Sequence, residues 1–192
     1  MHGWWWRSLG DRKIDDHDAP LLTGIPSEGE GDDEMKYVDV QWSGDEYQGG
    51  HAFDAMDYLA ALPALLEQLP AGARGFVSDP DHFDFYAVRC VKDLQLQRME
   101  HKGTELELYF SGNPWKHDED LSLQYRGVTL VDYDHSVTRG VYERRPSVLL
   151  DEILPTDGGF SHEFALGSGD LTVVACDMRH LWVPRDEALH RD

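Results

Sequence analysis

Asp132, Asp134, His135 and His162 have residue types and spacing that could hold a metal ion. Asp132 and Asp134 stand two apart, so they share a face if the chain there is a strand. His135 follows them, and His162 with Glu163 could join from a later hairpin. A mixed carboxylate and imidazole set suits zinc, manganese or magnesium, and would support a small metal-dependent hydrolase. The run His117-Asp118-Glu119-Asp120 holds more ligand atoms, but side chains of adjacent residues point apart. Neither HExxH nor an EF-hand loop occurs. Chance clusters of this quality are expected in so acidic a chain, and the expectation is no metal and no cofactor.

Other catalytic chemistry has weaker support. No GxSxG is present, and Ser111, Ser147 and Ser161 have no distinguishing context. Cys90 and Cys176 sit among apolar residues, where a thiol stays protonated and inert; both are expected to be buried and unpaired. Asp151-Glu152 interrupts the apolar run VLLDEIL. One of the two could be buried with a raised pKa, as general-acid chemistry requires. The competing expectation is that both face water.

A binding role is better supported. Trp115 lies beside Asp118, Glu119 and Asp120. Asp79, Asp81 and Asp84 interleave with His82, Phe83 and Phe85. Acids steer a basic surface and aromatic rings anchor it. The 192 residues carry 37 acids against 17 Lys and Arg, a formal net charge of −20. The excess is spread along the whole chain. Phosphate recognition needs clustered Lys and Arg, so nucleic acid and anionic membrane surfaces are excluded as expected partners. A basic protein is favoured. No apolar window reaches the length of a membrane span. The first residues do not read as a signal peptide, and a cytoplasmic location is expected.

The elements that must position these residues are mostly short strands. In Ser161 to Pro184, SHEFALGSGDLTVVACDMRHLWVP, alternation, a Gly167-Ser168-Gly169-Asp170 turn and a β-branched run predict two or three antiparallel strands. Leu94 to Glu100 and Thr104 to Phe110 alternate around Lys102-Gly103 and predict a hairpin. Met35 to Trp42, Phe83 to Val91, Leu121 to Tyr125 and Val128 to Tyr133 also read as strands, and Gly75 to Ser78 as a short one. Phe53 to Leu69 has helical spacing, with Pro63 inside it and Pro70 and Gly72 closing it. The predicted fold is α+β, with a single antiparallel β-sheet packed with one main helix. The predicted organisation is an acidic arm over 1–34, a single domain over 35–184 and a tail over 185–192. Trp4-Trp5-Trp6 is the apolar exception in the arm. It is expected to pack on the domain, or to be exchanged between subunits in an oligomeric structural protein.

The segment from Asp151-Glu152-Ile153-Leu154-Pro155 through Gly158-Gly159-Phe160-Ser161-His162-Glu163 to Trp182 resembles small bacterial domains, among them immunity proteins found beside polymorphic toxins. The resemblance covers about the last forty residues and carries no catalytic residue. It implies an interaction protein rather than an enzyme, and the acidic charge fits a partner with a basic active site.

Overall fold

In the computed structural model the described residues are 35–43, 50–135 and 146–185. Strand β1 (Asp39–Ser43) pairs with β2 (Gly50–Asp54). Helices α1 (Met56–Leu66) and α2 (Ala71–Val77) follow. Then come β3 (Gln95–Lys102), β4 (Glu105–Ser111), β5 (Glu119–Arg126) and β6 (Leu130–Asp134). The last four are β7 (Val148–Thr156), β8 (Gly159–Leu166), β9 (Gly169–Ala175) and β10 (Asp177–Pro184).

The fold is mainly β and corrects the single-sheet expectation. Two four-stranded antiparallel sheets, ordered β10-β5-β4-β3 and β6-β9-β8-β7, accompany the two-stranded β1-β2 sheet. The cause lies at two bends. The chain leaves β5, crosses Gly127 at φ +65° and enters β6 in the other sheet; it leaves β9, crosses Cys176 and enters β10 in the first. The bent pair stays hydrogen-bonded through the corner, with Cys176 N–H on Arg126 O and Thr129 N–H on Val174 O. Each bent strand reads in sequence as two successive strands of one meander. Bends of this kind let two sheets share one core.

Alternation supplies the inner faces. Leu106, Leu108 and Phe110 of β4 and Leu121, Leu123 and Tyr125 of β5 meet Phe160, His162 and Phe164 of β8 and Leu171 and Val173 of β9, all buried. Phe110 and Phe164 have ring centroids 5.5 Å apart, and Tyr125 stacks on Phe160 at 6.2 Å. On the far side a bridge between Gln95 and Ser147 ties the start of β3 to the chain entering β7.

The helical cover is smaller than the sequence suggests. Only Tyr58 of α1 is fully buried, and Met56 and Leu59 are exposed. Its main service is at an edge. The Tyr58 hydroxyl donates to Ile153 O (2.8 Å) and accepts from Ile153 N–H (3.1 Å), satisfying the open side of edge strand β7. The expected strand at Gly75 to Ser78 is instead the end of α2, and Phe83 to Val91 is a run of turns. No helix among the described residues is long and apolar enough to cross a membrane. The Trp4-Trp5-Trp6 arm and most of the tail lie outside the described residues.

Candidate functional site

The loop 78–93 is shaped by its aspartates. Asp79 Oδ1 accepts from Asp81 N–H and Asp84 Oδ1 from Tyr86 N–H, at 2.9 and 3.0 Å. Backbone turn bonds run from His82 N–H to Asp79 O, Asp84 N–H to Asp81 O and Ala87 N–H to Asp84 O. Short carboxylates that bond their own backbone two residues on favour turns over strands, which explains why the FDFYAVRCV alternation does not become β.

One side chain pins this loop to the sandwich. His82 Nε2 lies 3.0 Å from each carboxylate oxygen of Asp151. Asp151 Oδ2 also accepts from His162 Nε2 at 3.0 Å, and Tyr125 OH lies 2.8 Å from His162 Nδ1. Burial works against the Asp151 charge, but the charge of His82 and hydrogen bonds from both imidazoles outweigh it and hold the carboxyl far below its usual range. Burial pushes His162 down, against the pull of Asp151. The Phe76 ring of α2 walls the group, 4.7 Å from His82 and 5.1 Å from His180. Asp151 and His162 are 0% exposed and His82 is 2% exposed. Buried in this way, the network ties the loop to the sandwich. The neighbouring Glu152 is also buried; its pKa is raised by burial, although it accepts from the backbone N–H groups of Lys36, Tyr37 and Val38.

The second loop, 112–118, is tied to the first. His117 Nε2 lies 3.0 Å from Cys90 O, and Lys116 Nζ reaches Lys92 O at 3.1 Å and Asp93 at 3.3 Å. Arg89 Nε donates to Glu119 Oε2 at 2.8 Å. That bond first, and then the charges of Glu119, Asp79 and Asp81, raise the Arg89 pKa, so Arg89 sits between the two acidic groups named from sequence. These bonds join the two loops. Tyr86 on the first and Trp115 on the second are each 95% exposed, and Val88 is exposed as well.

The acids named from sequence have different tasks here. Asp84 and Asp118 are exposed, while Asp79 and Asp81 are half-buried. Glu119 is engaged by Arg89. Asp120 is buried and accepts from Tyr109 OH (2.7 Å) and Gly112 N–H (2.8 Å), so it shapes the loop from below. Sequence reading passed over Tyr86 and Arg89, noted His82 only as a neighbour of acids, and named His117 only in a run of possible metal ligands. His82 and Asp151 are 69 residues apart, and no local pattern links them.

The metal-site residues do not converge. Strand register places His162 opposite Val173, and Val173 opposite Val131, on the inner face. Asp132 and Asp134 alternate onto the outer face, and His135 lies against the Tyr133 ring at 3.9 Å. Among the described residues no group of three or more His, Cys, Asp or Glu could hold a metal ion. Cys90 is buried, and burial raises its thiol pKa. Cys176 is exposed at the strand bend, which corrects the expectation that both thiols are buried. A shallow recess of about 620 Å³ lies on the outer face of the β3–β4–β5–β10 sheet, at the opposite end of β4 from Gly112. Its walls include the ion pairs Lys102–Glu100 and Arg126–Asp177. No family model matches the chain, and no curated protein matches it in sequence.

Proposed function

We propose that this protein is a non-enzymatic binding protein that takes a basic protein partner on the surface of loops 78–93 and 112–118. The observation that carries the reading is the pair Tyr86 and Trp115, each 95% exposed on loops bonded to each other and anchored to the core. Large aromatic side chains fully in water on a braced surface are what hot-spot anchors look like before binding. Asp118 supplies charge, and Asp84 adds to it while its Oδ1 accepts from Tyr86 N–H. The toxin-neutralising role implied by the resemblance of residues 151–182 gives the partner a class: a basic toxin domain. That segment forms β7 to β10, the scaffold, so the resemblance supports the reading through the scaffold and not through the contact surface.

The test is co-purification with products of neighbouring genes as bait, followed by affinity measurement on two variants. Tyr86→Ala with Trp115→Ala is expected to weaken binding by about 30-fold or more, corresponding to at least ~2 kcal/mol. Asp118→Lys, which leaves the Asp84–Tyr86 bond in place, is expected to slow association chiefly. Unchanged affinity in both variants would place the interface elsewhere.

A further inference from the structure

We infer that His117 is an acid-sensitive latch within loop 112–118: adding a proton to its Nδ1 breaks the bond from Asn113 N–H that closes this loop on the imidazole held by Cys90 O. The bonds fix the tautomer. Cys90 O can only accept, so Nε2, 3.0 Å away, carries the proton. Nδ1 is then the bare acceptor, and it receives the backbone N–H of Asn113 at 2.9 Å. A second proton on the ring would face that N–H directly. A backbone donor cannot turn round, so the bond is lost rather than reversed.

This distinguishes His117 from the buried His162. The acceptor of His162 faces Tyr125 OH, a hydroxyl that can rotate to accept instead. The groups around His117 also favour the neutral ring. Burial pushes it down first and Cys90 O pulls it up; Lys116 and Arg185 push down, and Asp93 on the facing loop opposes them. A group whose pKa is lowered in the closed state gives stability that is present above its free value and lost as pH falls below it. The free imidazole value is about 6.5, so the bond from Asn113 N–H is weakened below that pH.

As regulation of the proposed binding surface this rests on the reading above, but its test needs no partner. Amide hydrogen exchange of the full chain is followed from pH 8 to pH 5, as protection relative to unstructured peptide rates at each pH. Protection of Asn113 is expected to fall by up to about 30-fold by pH 5, since 1.5 pH units separate that pH from the free imidazole value. Amides in the β8–β9 pair are expected to hold theirs. His117→Gln can still donate to Cys90 O and cannot take up a proton, so its Asn113 protection is expected to be flat with pH. Constant protection in the native chain, an equal fall in His117→Gln, or a fall shared by β8 and β9 would overturn the latch. If His117→Gln does not fold, ring NMR of the native chain decides. An imidazole titration that tracks the loss of Asn113 protection supports the latch, and one that does not track it refutes it.

Discussion

Glu152 and Glu163 face each other across the β7–β8 pair, and their environments give them opposite roles. Glu163 is half-buried; burial, then the charges of Glu152 and Asp170, raise its pKa. Among the described residues no backbone donor bonds it to offset this, as happens for Glu152. A carboxyl raised in the folded state costs stability that is intact below its free pKa, about 4.5, and lost as pH rises through the folded value. Glu163→Gln is therefore expected to stabilise the protein at pH 7 by roughly 0.5–1 kcal/mol, a rise in Tm of about 1–4 °C, and to lose the gain toward pH 4. Glu152→Gln is expected to do the reverse at pH 7. Its new amide N–H₂ would face the donors of residues 36–38, costing about 1–3 kcal/mol. Thermal unfolding of both variants at two pH values separates the cases. Both Asp151 and Glu152 are buried, which corrects the expectation that they face water. Their apolar context allows burial but does not reveal that two imidazoles lower one acid while burial raises the other against its N–H bonds, because His82 and the segment 36–38 are remote in sequence.

At the scale of elements, α2 carries two glycines with different reasons to be there. A Cβ on Gly72 would come within 1.6 Å of Met178 O, because this turn of the helix lies directly on the β10 backbone. A Cβ on Gly75, one turn on, meets nothing within 4 Å. Gly75→Ala is expected to stabilise by about 0.5–1 kcal/mol, through lower chain entropy in the unfolded state. Gly72→Ala is expected to cost about 2 kcal/mol or more, since a backbone atom must move. Urea unfolding of the two variants tests whether α2 is seated on β10 as described. The strands β3, β4, β5, β9 and β10 were legible because their faces alternate and their turns carry Gly or Asp. The two-sheet arrangement was not, because nothing local at Arg126-Gly127-Val128 or at Cys176 says that the next strand joins a different sheet. Gly127 at φ +65°, with Cys176 Sγ 2.5 Å from where its Cβ would stand, is a residue-level trace of the corner. The loop 78–93 was misread as partly strand for the opposite reason. Its apolar alternation is real, but the Asp79 and Asp84 side chains offer the backbone a competing set of hydrogen bonds.

For the whole molecule, the net charge of −20 acts on folding and on association in opposite senses. Several described ion pairs, such as Arg98–Glu100 and Lys102–Glu100, are well exposed, so they offset little of the repulsion among 37 acids. Compaction brings those charges closer than they are in the unfolded chain. Raising ionic strength from about 0.01 M to 0.15 M shortens the screening length from about 30 to 8 Å. It is therefore expected to raise Tm at pH 7, and the same screening is expected to slow association with a basic partner. Measuring Tm and the association rate across one salt series tests both consequences of one charge distribution. If Tm rises while the rate stays constant, the acid excess is a property of solubility and compaction alone. Recognition would then rest on the apolar contacts of Tyr86 and Trp115. If both respond, the affinity lost on removing the two aromatic rings should appear mainly in dissociation, and the affinity lost on reversing Asp118 mainly in association, because steering acts before contact and anchoring after it.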